Sequence, residues 1–589
     1  MKILLTTLNS KYIHSNLAIR YLSRYVEDIE SIQVEEFTIN QNIDFIASEI
    51  FKLQPDVIGF STYIWNIKET LKVCKILKMV KPSIKILLGG PEVSYEETSL
   101  MKNHNYIDFI IYGEGEETFR EFIEHLKSEN TNYSDIKGLI YRSGDKVIKN
   151  KERQLIKNLD IIPSPYDHPS NDFKNKIVYY ESSRGCPFNC EFCLSSAISG
   201  VRYFDIDRVK KDLSNLINSK VKQVKFVDRT FNANKKYAME IMNFIIDKNP
   251  KNMNFHFEVT AHLMDEEVLS FLEDVKEGLF QFEIGVQSTN LDTIESIGRT
   301  TDFKKLSYVV KKIKSYGNIH QHLDLIAGLP YENYESFGKS FNDVYDLKPE
   351  KLQLGFLKLL KGSGLRLSSE KYGYKYIDEP PYEILENNYI SYKDIINLKG
   401  IEDLVEKYYN EGYFANTLEF IIHNFYPGAF EFFEDFKMYW QDKEYNKISH
   451  SRNRLYENLK DFIDYKNYNH INIINDLIRF DYIINNKNTN IPSKLLCNNH
   501  ELLQKDIHNI LKDEDILYNY LEEYKNLPTK KLINQVTIKR FTTDILQIIE
   551  KGYNPTSKGE EVYILFVYVD GQINRCRVYN ITRKAKELV

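Results

Sequence analysis

The chain has 589 residues, of which 42% are hydrophobic and 13% aromatic, which is enough for roughly three or four packed domains. Its net charge of -6 gives no reason to expect a polyanionic partner such as nucleic acid. No segment approaches the ~20 apolar residues of a membrane span, and no cleavage site follows the apolar start, which favours a cytoplasmic protein. Six cysteines in a chain of this length do not form a disulfide framework.

The first part of the chain alternates strand-like and helical patterns. Apolar runs predict five strands, at 3–8, 34–37, 57–63, 84–89 and 109–112. The alternation predicts an α/β fold with an open, mostly parallel, Rossmann-like sheet over residues 1–135. A hairpin and linker are expected over 136–175.

Residues 176–375 alternate again. Strand patterns occur at 177–183, 223–228, 254–259, 280–287, 322–328 and 351–358. Six successive βα units predict a partial (β/α)6 barrel, an incomplete TIM barrel, in which functional side chains gather at the carboxyl ends of the strands. Residues 376–589 predict a mostly helical C-terminal domain that ends in a β-hairpin turning at Asp570-Gly571.

Three cysteines, Cys186, Cys190 and Cys193, form a CxxxCxxC motif at the end of the first strand of this second region. Thiolates are the ligands of iron–sulfur clusters, and three of them on a four-iron cubane leave one iron open. An open iron can chelate the amino and carboxylate groups of a methionine moiety. Electron transfer into a sulfonium can then break a carbon–sulfur bond.

Structural zinc is the alternative for this motif. Zinc needs a fourth ligand and normally takes two cysteine pairs. The remaining cysteines are isolated in the sequence: Cys74, Cys497 and Cys576. The motif therefore favours the cluster.

Together with Phe192 and the barrel repeats, the motif resembles that of the radical S-adenosylmethionine (radical SAM) superfamily. The resemblance implies a catalytic 4Fe–4S cluster on the three cysteines that cleaves S-adenosylmethionine to a 5′-deoxyadenosyl radical. It also implies that Phe192 lies against the adenine. Asp228 stands where the superfamily usually has Gly-Gly-Glu, and it would accept a hydrogen bond from the S-adenosylmethionine amine. A helix N-cap is the alternative role of Asp228.

Other residues at strand ends resemble S-adenosylmethionine contacts of the same superfamily. Glu258 and the Gln287-Ser288 pair resemble positions near the ribose and the methionine. Arg299 would hold the methionine carboxylate bidentately, with a surface ion pair as the alternative. Gly328 would allow the backbone to approach the adenine closely.

In the first domain, two glycine-rich segments, 89–92 and 113–116, follow strands, at the edge where open parallel sheets bind ligands. Tight turns without a ligand are the alternative. Together with FSTYIWN at 60–66, they resemble the cobalamin-binding domain of corrinoid-dependent radical SAM enzymes, a resemblance that covers about residues 1–370. It implies these cobalamin-binding residues: Ser10, His14, Trp65, Gly89, Gly90, Glu92, Gly113, Glu114 and Gly115.

His14 occupies the histidine position of the Asp-x-His-x-x-Gly motif, in which histidine binds cobalt. Imidazole is a competent ligand, but the aspartate that would orient it is absent. A loop or substrate-facing role is therefore the alternative. Radical members of the class often lack this motif, so its absence does not exclude a corrinoid.

The expected protein is a cobalamin-dependent radical SAM methyltransferase acting on an unactivated carbon of a small-molecule or natural-product substrate. One alternative uses the same cofactors for a non-methylating rearrangement or redox reaction, and a remote one is a non-catalytic corrinoid sensor or carrier. An RNA methylthiotransferase would carry three more cysteines in its first domain. The expected partners are the substrate and an electron donor such as flavodoxin or ferredoxin, with neither membrane nor nucleic acid.

Overall fold

The computed structural model of the chain describes residues 1–95, 97–128, 132–168, 170–197, 200–487, 491–496, 502–555, 561–568 and 576–589. Cys497 and the predicted turn at Asp570-Gly571 lie outside these residues. No helix within the described ranges is long and apolar enough to cross a membrane.

The chain separates into two compact units. The first comprises residues 1–340, 347–349 and 354–395. The second comprises residues 341–346, 350–353 and 396–589.

The N-terminal sheet of the first unit has seven strands in the order β2-β1-β3-β4-β5-β6-β7. They are β1 (Ile3–Asn9), β2 (Gln33–Thr38), β3 (Val57–Ser61), β4 (Lys85–Gly89), β5 (Phe109–Ile111), β6 (Leu139–Ser143) and β7 (Lys146–Lys149). The first five are parallel, and β6 and β7 add an antiparallel hairpin. The chain order reverses at β1, so the ends of β1 and β3 form the switch point at which such sheets bind ligands.

Five helices cover this sheet: α1 (Leu17–Tyr25), α2 (Ile43–Lys52), α3 (Ile67–Val80), α4 (Glu97–Asn103) and α5 (Glu116–Lys127). Every residue of β1 is buried, because successive side chains enter cores on opposite faces. Leu4 packs in a core with α2 and α3, whereas Leu5 packs in a core with α1 and α5. Cys74 is fully buried in the first of these cores.

The strands of the second region are β8 (Ile177–Tyr180), β9 (Ser183–Cys186), β10 (Gly200–Tyr203), β11 (Gln223–Phe226), β12 (Asn254–Glu258), β13 (Phe280–Gln287), β14 (His320–Ala327) and β15 (Lys351–Phe356). Six of them form one sheet in the order β15-β14-β13-β12-β11-β8, and the pairs from β8 to β14 are parallel. Strands that follow one another in this series are also neighbours in the sheet. This confirms the six predicted strands and their sequential order, whereas the partial barrel stays a prediction.

The helices between these strands are α6 (Ile206–Asn218), α7 (Lys235–Lys248), α8 (Glu266–Glu273), α9 (Leu291–Ser296), α10 (Phe303–Tyr316) and α11 (Tyr334–Tyr345). They begin at side-chain caps and bury one apolar face. In α6, Asp205 accepts from the first-turn amides, and Val209, Leu213 and Leu216 are buried.

The predicted strand over 177–183 is two separate strands. β8 ends at Tyr180, and β9 pairs antiparallel with β10 outside the six-stranded sheet. Gly185 is the reason that β9 can pair so closely. Its φ is +105°, and a Cβ built on it would lie 2.1 Å from the carbonyl oxygen of Gly200.

Three short elements complete the first unit: α12 (Gly364–Leu367), β16 (Lys375–Tyr376) and β17 (Ile384–Glu386). The helices that follow are α13 (Tyr392–Leu404), α14 (Ala415–Phe425), α15 (Ala429–Asp442), α16 (Arg452–Lys466), α17 (Ile471–Asn485), α18 (Gln504–Ile510), α19 (Glu514–Tyr520), α20 (Thr529–Leu532), α21 (Ile545–Glu550) and α22 (Thr582–Leu588). The last strands are β18 (Val536–Phe541), β19 (Val562–Tyr568) and β20 (Cys576–Asn580), paired antiparallel in that order. The predicted C-terminal strand pair is confirmed, and β18 extends it to a three-stranded sheet that the sequence did not predict.

Replacing Gly185 by alanine should destabilise the β9–β10 hairpin. The left-handed backbone and the contact with the Gly200 carbonyl together should cost about 3 kcal/mol. Hydrogen exchange should become faster at the amides of 183–186 and 200–203. Gly144→Ala is the control, because Gly144 also has positive φ, at +57°, but has open space around the added Cβ. Equal protection of the hairpin in both variants would contradict the argument.

Candidate active site

The cysteine loop follows the β8 end of the six-stranded sheet, the edge at which βα units collect functional side chains. Cys186 ends β9, and Cys190 and Cys193 follow in the loop. The amide of Cys193 donates to the carbonyl of Cys190 at 3.0 Å. Cys190 is buried and the other two are half-buried, and none of the three is in a disulfide among the described residues. They are therefore available as ligands.

The three thiols are close enough to influence one another. Burial raises the pKa of the Cys190 thiol above its ordinary value. The guanidinium of Arg299 opposes this rise in pKa, whereas the thiols of Cys193 and Cys186 add to it. The Sγ of Cys186 also lies 3.6 Å from the Oγ1 of Thr230.

This donor set fits an iron–sulfur cubane better than a single metal ion. Within the described ranges, no group of three or more His, Cys, Asp or Glu side chains is arranged around one ion. A cubane takes each thiolate on a separate iron, so its ligands need not converge on one point. Structural zinc has no complete ligand set in the part of the chain that the structure covers.

Arg299 joins the cysteine loop to the end of β13. Its Nη1 lies 3.8 Å from the Sγ of Cys190, and its Nη2 donates to the carbonyl of Gly285 at 2.5 Å. Its Nε donates to the hydroxyl of Thr301 at 3.1 Å. The contacts of Arg299 thus lie inside the site, and a surface ion pair is not its role.

Two buried acceptors lie beside Arg299. Asp324 on β14 is paired in register with Gly285, over which the side chain of Gln287 also lies. Asp324 Oδ1 and Gln287 Oε1 are buried and have no hydrogen-bond partner among the described residues. Unpartnered buried acceptors are costly, so this edge fits a ligand with donor groups, such as a ribose or an ammonium.

The carboxyl of Asp324 lies among charged side chains that change its pKa. Burial raises its pKa well above the ordinary value, and Glu283 and Glu258 raise it further. Lys225 and Arg299 lower it, with less effect. Asp324 therefore holds its proton more tightly than an exposed aspartate does.

Glu258 ends β12, which is separated from β14 by β13 in the sheet. Burial raises its pKa, and the positive charge of Arg229 opposes this rise. Glu283 behaves in the opposite way. Despite its burial, the His256 ring, whose Nε2 lies 2.9 Å from Glu283 Oε2, and the charge of Lys225 lower the pKa of Glu283 to about 2.

Asp228 does not cap a helix. It is almost fully buried, and its carboxylate accepts from the amide of Ser182 at 3.0 Å and from the hydroxyls of Ser182 and Ser183 at 2.6 and 2.5 Å. These hydrogen bonds fix the segment that leads into β9. A role in holding the S-adenosylmethionine amine stays a prediction.

The hydroxyl of Ser288 is engaged by the buried Glu332. This hydroxyl donates to Glu332 Oε1 at 2.6 Å, and Ser340 donates to the same oxygen at 3.0 Å. Glu332 has no exposed surface, and burial raises its pKa to about 7.

Two further predicted residues lie near the same edge. Phe192 is half-buried in the cysteine loop. Gly328 follows β14 with φ +92°. A Cβ built on Gly328 would lie 1.9 Å from the Cδ1 of Ile384. Gly328 is therefore needed for its contact with β17, and a role of Gly328 beside adenine stays a prediction.

The switch point of the N-terminal sheet holds Ser10, His14 and Trp65. Ser10 is exposed after β1, and half-exposed Trp65 stacks on Tyr63 with ring centroids 4.4 Å apart. His14 reaches the six-stranded sheet, where its Nδ1 lies 2.9 Å from the hydroxyl of Tyr179. Burial, followed by the charges of Lys11 and Lys225, lowers the pKa of His14. The imidazole is therefore neutral at pH 7.

The two predicted glutamates of the glycine-rich segments are bonded to other parts of the first unit. Glu92 is buried, lies 3.1 Å from the Nζ of Lys361 and accepts a short hydrogen bond from Tyr382. Glu114 accepts two hydrogen bonds from Arg202, at 2.7 and 3.1 Å, and its Oε1 lies 3.4 Å from Arg184. Despite its burial, these arginines lower the pKa of Glu114.

The four predicted glycines occupy the carboxyl edge of the N-terminal sheet. Gly89 ends β4, and Gly90 has φ +114°, with a built Cβ only 2.4 Å from the carbonyl oxygen of Thr62. Gly113 follows β5, and Gly115 caps the start of α5. Gly90 is therefore needed for the turn itself, as the alternative without a ligand proposes.

Three residues of the site region were not predicted from the sequence: Asp324, Arg184 and Arg202. Asp324 shares a face of β14 with two histidines in an alternating pattern, which was the available signal. The arginines gave no signal, because the hairpin that brings them together was not predicted.

Three family models match the chain. A B12 binding domain matches residues 3–123, the Radical SAM superfamily matches residues 180–344, and a protein of unknown function, DUF4080, matches residues 370–566. The chain thus combines a B12-binding region and a radical SAM region with a region of unknown function.

Several known proteins are similar to parts of this chain. An uncharacterized methyltransferase of Pyrococcus horikoshii is 30% identical over 54% of this chain and 70% of its own length. TokK of Streptomyces tokunonensis, a cobalamin-dependent radical SAM methyltransferase, is 25% identical over 56% of this chain and 51% of its own length. The solved structure of OxsB, a cobalamin-dependent S-adenosylmethionine radical enzyme with aqua-cobalamin and S-adenosylmethionine bound, has a TM-score of 0.56 and 16% identity, and the match covers 89% of this chain and 83% of OxsB. At that identity the likeness shows the fold.

Glu332 should make stability depend on pH. Its folded pKa of about 7 exceeds the ordinary value of 4.5, so the folded chain binds the proton more tightly than the unfolded chain. The resulting stabilisation is present below pH 4.5 and is lost as pH rises through 7, a fall of about 3 kcal/mol in the free energy of unfolding. In Glu332→Gln this contribution should be absent, so urea denaturation at pH 5 and pH 8 should differ less than in the wild type. The exposed Glu335, three residues further on in the first turn of α11, gives the control, Glu335→Gln. An unchanged pH dependence in Glu332→Gln would refute the assignment.

Proposed function

Because the chain belongs to the cobalamin-binding radical S-adenosylmethionine family, we propose that it is a methyltransferase that acts on an unactivated carbon of a small molecule. The observation that carries the proposal is the contact of Arg299 with both Cys190 and the strand edge that holds Gln287 and Asp324. Arg299 thus connects Cys190, a proposed ligand of the cluster, with the acceptor oxygens at the strand edge. When bound, a 4Fe–4S cluster on the three cysteines would supply the electron that cleaves S-adenosylmethionine, and cobalamin would supply the methyl group.

The proposed roles of the protein's own residues follow from their contacts. Cys186, Cys190 and Cys193 bind the cluster. Gln287 and Asp324 offer acceptors to the S-adenosylmethionine ribose or ammonium, since both carry an oxygen without a partner among the described residues. Arg299 keeps a positive charge beside Cys190, which favours the thiolate over the thiol.

Further proposed contacts rest on position. Glu258 and Asp228 lie at neighbouring strand ends, although Asp228 already accepts three hydrogen bonds. On the corrinoid side, the stacked and half-exposed Trp65 offers an apolar ring. His14 is neutral, as a metal ligand must be, but its Nδ1 is engaged by Tyr179, so cobalt would have to bind its Nε2.

The proposed domains are 1–135 for cobalamin, 136–175 as hairpin and linker, 176–375 for radical SAM chemistry and 376–589 of unknown role. An electron donor such as flavodoxin or ferredoxin is the proposed protein partner, because the cluster needs an external electron. The cytoplasm, where such donors are found, is the proposed location.

A reaction without methyl transfer is the second candidate. OxsB, whose fold this chain shares, is described as a radical enzyme rather than as a methyltransferase. The candidate would use the same cluster ligands and the same strand edge, and would differ only in the fate of the substrate radical.

Cys190→Ala should abolish S-adenosylmethionine cleavage. After anaerobic iron–sulfur reconstitution, the wild type should form 5′-deoxyadenosine, and the variant should form it at least ~100-fold more slowly, because two ligands hold the cluster poorly. Cys576→Ala is the matched control, since Cys576 is also a free cysteine but belongs to the second unit. Equal rates for Cys190→Ala and the wild type would remove the proposal's basis.

Labelled S-adenosylmethionine separates the two candidates. With a methyl-labelled donor and hydroxocobalamin, a methyltransferase should place label in a product extracted from a candidate-substrate pool, in step with 5′-deoxyadenosine. Cys190→Ala provides the blank. A product without label that still depends on 5′-deoxyadenosine formation would favour the rearrangement or redox reaction instead.

A further inference from the structure

Two arginines face each other across the hairpin that carries the first cluster cysteine. Arg184 on β9 is directly opposite Arg202 on β10. Like charges at opposite positions of an antiparallel pair repel one another. The hairpin is therefore stable in this form only if acidic groups lie against both arginines.

Glu114 is the acid that the two arginines share. Its Oε1 lies 2.7 Å from the Nη2 of Arg202 and 3.4 Å from the Nη1 of Arg184, and its Oε2 accepts from the Nη1 of Arg202 at 3.1 Å. Two more carboxylates complete the group around Arg184, Glu116 at 2.7 Å and Glu181 at 3.0 Å.

The ion pairs are shielded from solvent. The side chain of Glu114 is 8% exposed and that of Arg202 is 18% exposed. Bidentate ion pairs in such surroundings hold a defined geometry, and losing one partner leaves a charge buried without compensation. Such pairs differ from surface salt bridges, which contribute little.

Through its contacts with Arg184 and Arg202, Glu114 connects the N-terminal sheet with the cysteine loop. Glu114 lies between Gly113 and Gly115, in the loop after β5 at the carboxyl edge of the N-terminal sheet. This is the edge where the proposed corrinoid binds. Cys186 is two residues beyond Arg184, so the same glutamate fixes the base of the cysteine loop.

We infer that Glu114 is a positioning residue that couples the corrinoid-side loop to the iron–sulfur cluster. A ligand that rearranges the 113–115 loop moves Glu114, and the two arginines transmit this to the β9–β10 hairpin and to Cys186. By linkage, the cluster and the corrinoid each alter the binding of the other. The inference rests on the proposed cofactors and adds a physical connection between their two sites.

The test compares Glu114→Gln, Arg202→Gln and the double variant in the full chain. Glu36→Gln is the matched control, because Glu36 forms a 2.6 Å ion pair with Arg20 in the same domain and is 13% exposed. Each protein is reconstituted anaerobically. Iron content and the electron paramagnetic resonance spectrum of the reduced cluster are then recorded with and without hydroxocobalamin.

In the wild type and Glu36→Gln, hydroxocobalamin should shift the cluster spectrum. In Glu114→Gln this shift should be absent at equal iron content, and 5′-deoxyadenosine formation should fall ~10- to 100-fold through misplacement of the cluster. The double variant should be no worse than Glu114→Gln, since both changes remove one contact. A spectrum of Glu114→Gln that responds to hydroxocobalamin like that of Glu36→Gln would overturn the inference.

Hydrogen exchange of the iron-free proteins keeps the inference testable if Glu114→Gln binds no iron. Hydroxocobalamin should protect the amides of 183–186 and 200–203 in the wild type and in Glu36→Gln, but not in Glu114→Gln. Equal protection in all three would again overturn the coupling. A wild type that takes up no iron but shows this pattern would defeat the proposed function and the link to a cluster, and would leave standing only the coupling between the 113–115 loop and the β9–β10 hairpin.

Discussion

Three thiols on one short loop must face one small volume, and the structure around them serves that constraint. Gly185 lets β9 approach β10 closely enough for the loop to begin in a fixed direction. Asp228 fixes the preceding segment through the serines at 182 and 183. Within the loop, the amide of Ser195 donates to Cys193 Sγ at 3.4 Å, which helps to hold that side chain in place.

The charged side chains near this loop form two groups. Arg299 is in contact with Cys190 and with the end of β13. On the same sheet, Glu283 is satisfied by Lys225 and His256, at 3.0 and 2.9 Å. Asp324 lies between these two groups with one oxygen unpaired among the described residues. Structural ion pairs thus leave one carboxyl free to meet a ligand at the strand edge.

The sequence predicted what depends on local pattern. Alternating apolar runs located the strands of both parallel sheets, and the spacing of Cys186, Cys190 and Cys193 indicated their shared chemistry. Strand ends were also the right places to search, because parallel strands bring their carboxyl ends to one edge. Arg299 was assigned to the site from its family position, and the structure brings it to Cys190.

Pairing between distant segments could not be predicted. The glycine-rich segments were interpreted as cofactor loops, yet Glu92 and Glu114 are bonded to Lys361 and Arg202, more than 80 residues away in the chain. The spacing of apolar residues along the sequence does not indicate such contacts. The β9–β10 hairpin and β18 were missed for the same reason, since each is a short strand defined by its partner rather than by its own composition.

The most direct measurement of the central claim is Mössbauer spectroscopy of the iron-reconstituted full chain, before and after addition of S-adenosylmethionine. The account predicts one 4Fe–4S cluster per chain, with a single iron whose signal changes when the nucleoside binds, because three cysteines leave that iron without a protein ligand. A chain that retains zinc in place of iron would contradict it, as would a cluster whose four irons are all indifferent to S-adenosylmethionine.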